Sequence, residues 1–449
     1  MQQISGRRVL LDGVLRPATL TLADGMVAAI EEYDATPAPD RLQLPESATL
    51  LPGVVDTHVH VNEPGRTAWE GFATATRAAA LGGVTTLIDM PLNSVPATTD
   101  PAALAAKRAV AVDQVAVDVG FWGGAVPDSL GRLEALWLDG VFGFKCFLAD
   151  SGVPEFPALS PEELAAALSE VAGFDGLLIV HAEDAAVLAE APRSSSRAYA
   201  DFLLSRPDAA ETAAIRRLLD GARETGCRVH VLHLSSARAL DPLADARAEG
   251  LAVTVETCPH YLCFAAGEIP DAAPEFKCCP PIRDEGNRDA LWAALVEGII
   301  DCVVSDHSPA TAQMKCAGDG DLQQAWGGIS GLQVGFTAVA AEAAARGIGV
   351  EQVSAWMAAR TADLVDLPKG RIRVGADADL MVHDSAVPWA VDAAELAHRN
   401  PISAYHGRRY PGSVTHTWLR GRLLTPETTP TKRAGRTGTT GRLLERSPG

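Results

Sequence analysis

Between about residue 53 and residue 370 the chain alternates short, apolar, β-branched runs with Ala/Leu-rich segments whose apolar positions recur at i, i+3 and i+4. The runs predict eight strands, near Val54–His60, Val84–Met90, Val115–Trp122, Val141–Phe147, Leu177–Ala182, Arg228–Leu234, Ala252–Thr257 and Ile300–Asp306. The segments between them predict helices, among them Asp208–Thr225 and Pro161–Ala172, the latter with Ser160 placed to cap it. Repeated strand–helix units call for a parallel sheet, and eight of them close into an α/β, (β/α)8 TIM-type barrel.

The two ends of the chain carry a different pattern. RRVLLDG, ATLTLADG and MVAAIEE are short strand-like pieces separated by Asp-Gly turns, and GADADLMVHD and SVTHTWLRGRLLT form a matching set after the barrel. Neither set can close a core alone, so residues 1–52 and 371–425 are expected to meet in one small β-sandwich, with 53–370 as the barrel. Residues 426–449 are rich in Thr, Gly and Arg and poor in apolar residues, which predicts a disordered tail.

Composition narrows the function classes. No apolar run approaches the roughly 18 residues of a membrane span, and a formal charge of −19 argues against nucleic acid or an anionic membrane as partner. The opening MQQISGRRVLLDG lacks the apolar core of an export signal, so the expected compartment is the cytoplasm. Eight cysteines without a CxxC pair suit free thiols in a reducing compartment.

The chemistry sits at the predicted strand ends. In Asp56-Thr57-His58-Val59-His60, strand alternation puts His58 and His60 on one face, where both rings can reach one cation. Taken alone such a pair is as often structural. Lys145 in GFKCF, His181 in LIVHAED, His233 in VHVLHLSS and Asp306 in VVSDHS then follow, so five of the eight strands deliver a ligand-capable side chain to the barrel end where catalysis occurs. An ammonium beside cations would be repelled, which favours neutral Lys145. A neutral amine can add CO2, and the resulting carbamate is a bidentate bridge for two metals. Four imidazoles, one carbamate and one Asp supply enough ligands for two divalent ions with a bridging hydroxide.

The motif set DTHVH, KCF, IVHAE, HLSS and SDHSP resembles the cyclic-amidohydrolase branch of the amidohydrolase superfamily, which holds dihydroorotases, hydantoinases or dihydropyrimidinases, and allantoinases. The resemblance spans roughly residues 5–420. It implies that His58 and His60 hold the more buried metal, His181 and His233 the more exposed one, that carboxylated Lys145 bridges them, and that Asp306 is both ligand and general base. The His-rich set suits zinc, with manganese or cobalt also acceptable.

Further stretches, EPGRTAWEGF, MPLNSVPAT, TCPHY and AWGGISGLQ, look like the allantoinase members, which implies hydrolytic ring opening of allantoin to allantoate. Asn62 stands where dihydroorotases carry an Arg for a substrate carboxylate, and Asp150 where hydantoinases carry a Tyr. By the same resemblance, backbone groups of Cys279 and Gly327 contact the ring amides; Asn62, Asn93 and Arg66 are further candidate polar contacts, with a turn-forming role as the alternative for Asn93 and a helix cap for Arg66, and His260 is given no ligand role. Hydantoinase-type hydrolysis is the nearest alternative. A non-enzymatic assembly protein on the same fold is the alternative of another class, disfavoured because all six ligand groups are present. Relatives imply a homotetramer.

Overall fold

In the computed structural model of the chain, residues 2–429 and 440–446 are described. The predicted barrel is present. Its strands are β1 (Val54–Val59), β2 (Val84–Asp89), β3 (Asp118–Phe121, continued by Gly123–Gly124), β4 (Phe144–Phe147), β5 (Leu177–His181), β6 (Arg228–Val231), β7 (Val253–Thr257) and β8 (Cys302–Val303). Neighbours pair in parallel around the ring, from Thr86 opposite Asp118 through Phe144 opposite Leu178 to Glu256 opposite Cys302. The ring closes where Val59 bridges His307 and the His60 amide donates to the His307 carbonyl at 2.8 Å.

The helices between the strands follow their sequence signals. Pro161–Ala172 opens on a capping box: the Glu163 amide donates to Ser160 Oγ at 3.2 Å, and the Ser160 amide donates to Glu163 Oε2 at 2.7 Å. Asp208–Thr225 ends at Gly226, whose φ of 71° is the left-handed conformation that terminates helices without steric cost. Their apolar faces cover the barrel and merge into one large core.

An eight-stranded mixed sheet joins the two chain ends. Its order runs Arg422–Leu424, Ser413–Leu419, Leu380–Asp384, Ala48–Pro52, Gln2–Leu11, Val14–Ala23, Met26–Glu31, with Arg41–Gln43 also on Gln2–Leu11. A register shift between Gly6 and Val9 lets that strand pair with Arg41–Gln43 over its first part and with Leu50 beyond. The sheet thus turns over a separate core of Ile4, Val9, Leu20, Leu50, Leu380 and Trp418. The Asp-Gly pairs make the hairpins: Asp12 and Gly13 have φ of 52° and 79°, Asp24 and Gly25 52° and 82°.

One expectation is corrected for part of its length. Residues 440–446, inside the expected tail, are built into the fold beside β3: the Val119 amide donates to Arg442 O at 2.9 Å and the Leu444 amide to Val119 O at 2.8 Å. Backbone pairing supplies what the apolar-poor composition lacks, and Leu443 and Leu444 pack on the two barrel cores. Residues 426–429 form a turn in which the Thr428 and Thr429 amides donate to Thr425 O at 3.1 Å each, and the rest of that expectation, residues 430–439 and 447–449, lies outside the described residues.

Candidate active site

The strand ends converge as alternation demands. His58 and His60 project from the end of β1 with ring centroids 5.5 Å apart, and the His233 ring lies 5.4 Å from that of His58. Asp306 Oδ1 stands 3.2 Å from His58 Nε2 and 3.6 Å from His60 Nε2. Lys145 Nζ is 3.4 Å from His58 Nε2. On the other side His181 Nδ1 and His233 Nε2 face each other at 3.1 Å. All six side chains that the sequence singled out as ligands are therefore gathered at one end of the barrel.

Two of them leave regular geometry to do so. His233 has φ 37° and Asp306 φ 42°, left-handed conformations that non-glycine residues adopt only where surroundings hold them, and which cluster at functional sites. These kinks also end β6 and β8 earlier than the sequence predicts.

Burial sets the charge states. It keeps the His60, His181 and His233 imidazoles neutral, so their lone pairs are free to ligate. It pushes the Lys145 ammonium down to about 8 against the opposing charges of Asp306 and Glu256, and it raises the Asp306 carboxyl.

The donor set fits two cations. Adjacent nitrogen ligands of a tetrahedral zinc, each roughly 2.0–2.1 Å from it, stand about 3.3 Å apart, close to the 3.1 Å between His181 Nδ1 and His233 Nε2. His58, His60 and Asp306 form a second buried group with ligand atoms within 4.8 Å of one another. Outer partners orient the rings. His181 Nε2 is held at 2.8 Å by Glu183 Oε2, itself paired with Arg206, and His58 Nδ1 at 2.5 Å by Glu256 Oε1. Burial alone would raise the Glu183 carboxyl, but Arg206 and His181 outweigh it and lower it to about 2. Asp56 accepts the amides of His58 at 3.1 Å and Ser305 at 3.2 Å, which ties β1 to the end of β8.

A cavity of about 570 Å³ opens over these groups, lined by His60, Lys145, His181, His233 and Asp306, by polar Asp150, Arg193, Arg206, Lys277 and Gln324, and by apolar Leu92, Phe147, Leu188, Phe202 and Trp326. Cys279, Gly327 and Asn93 also line it. Asn62 and Arg66 do not, which corrects their expected place in the substrate wall. Asn62 is buried behind it, accepting from Asn93 Nδ2 at 3.0 Å, and Arg66 is paired with Glu155 and stacked on Trp69. His260 is buried beside Asp306 with neither ring nitrogen hydrogen-bonded among the described residues.

Glu183, Arg206 and Glu256 were given no role from sequence. The signal available for Glu256 was an acidic residue in the otherwise apolar-alternating VTVET; for Glu183 it was the acid two residues beyond the strand-end His181.

The match to known proteins agrees with this geometry. A model of the amidohydrolase family matches residues 49–424, and the chain belongs to that family. Among its relatives, an allantoinase of Streptomyces avermitilis is 54% identical over 98% of each chain, and an allantoinase of Saccharomyces cerevisiae 41% identical over 94% of each. Among solved structures, an L-hydantoinase (dihydropyrimidinase) from Arthrobacter aurescens superposes with a TM-score of 0.90 at 28% identity, covering 99% of both chains.

Proposed function

We propose that the chain is a metal-dependent hydrolase that opens the ring of allantoin to give allantoate. The observation that carries this reading is the convergence of four imidazoles, Lys145 and Asp306 at one cavity, in a chain similar over nearly its whole length to allantoinases. Two divalent cations, held by His58, His60, His181, His233, Asp306 and a carboxylated Lys145, would supply a hydroxide near neutral pH and polarise the amide carbonyl. Asp306 takes the proton of the attacking water and returns it to the leaving ring nitrogen. The amine of Lys145, kept largely deprotonable by burial, is the nucleophile that captures CO2. Cys279 and Gly327 line the same cavity, and their main-chain groups are assigned to the ring amides.

The structural likeness to an L-hydantoinase favours hydantoin hydrolysis as the second reading. The polar part of the cavity lining favours the first reading. Asp150, Arg193, Gln323 and Gln324 offer donors and acceptors to a ureido group, beside apolar Leu92, Phe147, Leu188, Phe202 and Trp326. Zinc is assigned from the donor set, with manganese and cobalt as alternatives. A homotetramer in the cytoplasm completes the reading, and light scattering reads the first of these directly.

The test is turnover of allantoin, a 5-alkyl hydantoin, dihydrouracil and dihydroorotate by protein loaded with one defined metal. Allantoin should exceed the alkyl hydantoin in kcat/KM by more than about a thousandfold. Dihydroorotate should be essentially inert, since Asn62 replaces in sequence the arginine that dihydroorotases carry for its carboxylate, and within the cavity Arg206 is already paired with Glu183 and Lys277 with loop carbonyls. Comparable kcat/KM for allantoin and the alkyl hydantoin would overturn the assignment.

A further inference from the structure

A buried carboxylate on β7 touches both halves of the ligand set. Glu256 is 1% exposed, and its two oxygens accept three N–H groups: Oε1 takes His58 Nδ1 at 2.5 Å and the backbone amide of His233 at 3.1 Å, and Oε2 takes His230 Nε2 at 3.1 Å. The chain of bonds continues outward, since the Thr254 hydroxyl stands 2.8 Å from His230 Nδ1 and can donate to it. Each contact has a separate consequence. The bond to His58 fixes the tautomer whose Nε2 lone pair faces Asp306 and Lys145. The bond to the His233 amide holds the backbone at the residue whose φ of 37° swings its ring toward His181. The bond to His230 leaves Glu256 with no freedom to turn away. A carboxylate with a full set of donors is tolerated at this depth, whereas the same carboxylate serving only packing would be disfavoured against an apolar residue of its size.

From this geometry we infer that Glu256, backed by His230, is the positioning residue that couples the two halves of the metal site, setting the ring of His58 and the main chain of His233 together. The inference rests on the two-metal reading above. The negative charge of Glu256 also offsets that of a cation held on the far side of the His58 ring, so its charge matters as well as its shape. Glu256→Gln keeps the shape and removes the charge, and its amide N–H can face only His230 Nε2, which must then change tautomer and donate Nδ1–H to the Thr254 hydroxyl.

The experiment uses the full chain, stripped with a chelator and titrated with Zn(II) against a chromophoric competitor, with circular dichroism to verify folding. E256Q should bind zinc about ten- to a hundredfold more weakly than the unsubstituted chain. His230→Leu, which leaves the Glu256–His58 contact available but removes its supporting donor, should weaken binding in the same direction by a smaller factor; it serves also if E256Q does not fold. Glu256→Asp, which restores the negative charge on a shorter stem, should recover part of the affinity lost in E256Q, a recovery that a role in shape alone would not produce. Unchanged zinc affinity in E256Q and in His230→Leu would overturn the role of Glu256 while leaving the dinuclear reading intact. Failure of the unsubstituted chain to bind zinc, manganese or cobalt would instead overturn that reading, and the inference with it.

Discussion

At the level of single residues, the six groups proposed as ligands stand out because each is a polar side chain at the end of an otherwise apolar strand, where nothing but a ligand or a partner repays its burial. Asp306 illustrates the chemistry: buried, 3.2 Å from His58 Nε2, and the only carboxylate among the six ligand groups. Asp306→Asn should lower kcat by roughly a hundred- to ten-thousandfold, since an amide neither accepts nor returns a proton; metal content measured on the same sample separates lost base from lost ligand. A variant turning over near the unsubstituted rate would remove Asp306 as base. Lys145→Ala should bind fewer metal equivalents, and short carboxylic acids should restore part of its activity by standing in for the carbamate. Metal analysis and rescue assays check both. Glu256 and Glu183 escaped notice for a physical reason. Their partners, His58, His181, His230 and Arg206, come from other strands and loops, and pairing of this kind leaves no periodic trace in a single segment.

Element by element, strand starts were read closely and strand ends less well. Arg228 and Leu177 open β6 and β5 where the pattern places them, but β6 stops at Val231 rather than Leu234, and β8 is Cys302–Val303 rather than Ile300–Asp306. The apolar pattern continues past the point where the backbone must kink to present a ligand. Loops were least legible, because hydrogen bonds to main-chain groups do not depend on residue type. The segment 323–328 over the cavity shows this. Lys277 Nζ donates to Ala325 O at 2.6 Å and to Gln323 O at 3.3 Å, while buried Lys315 donates to Trp326 O and Lys277 O at 3.0 Å each and to Gly328 O. Lys315→Met leaves those carbonyls without their donor, at about 1–3 kcal/mol for each one that water does not reach. We expect KM for allantoin to rise at least about tenfold while zinc content is unchanged; a KM equal to that of the unsubstituted enzyme would show that the loop holds itself. Asp321 pins the other end of the same loop. Its carboxylate accepts Ser195 Oγ at 2.7 Å, Gln324 Nε2 at 2.8 Å and the Gln323 amide at 2.9 Å, contacts that hold it well below the usual 3.8. A depressed carboxyl stabilises the fold above its ordinary value and loses that contribution as the pH falls toward the folded one. The difference in Tm between the unsubstituted chain and Asp321→Asn should therefore be full at neutral pH and shrink below pH 3.8. A difference independent of pH would assign the effect to shape alone.

Across the whole molecule, the barrel, the sheet of the two chain ends and residues 440–446 meet at one buried acid. Asp118, at the start of β3, accepts Arg420 Nη1 at 2.8 and 2.7 Å, Lys369 Nζ at 3.0 Å and the Arg442 amide at 2.9 Å. Lys369 in turn reaches Asp379 at 2.5 Å, and Arg446 lies over the Trp137 ring at 3.5 Å. This junction is at the end of the barrel away from the cavity. Deleting residues 430–449 should thus lower Tm by several degrees and leave kcat/KM for allantoin within about twofold, a separation that calorimetry and kinetics check together; loss of activity at unchanged Tm would contradict it. No helix among the described residues is long and apolar enough to cross a membrane. The shared sheet also has a consequence for how the protein is made. Ala48–Pro52 leaves the ribosome early, but its neighbour Leu380–Asp384 is more than three hundred residues behind it. At 5–20 residues per second that is roughly 15–65 s during which a nascent strand edge has no mate. Chains stalled before residue 380 should be held by chaperones or cleaved within their first fifty residues, and release of that segment from protease attack should coincide with synthesis of the far end.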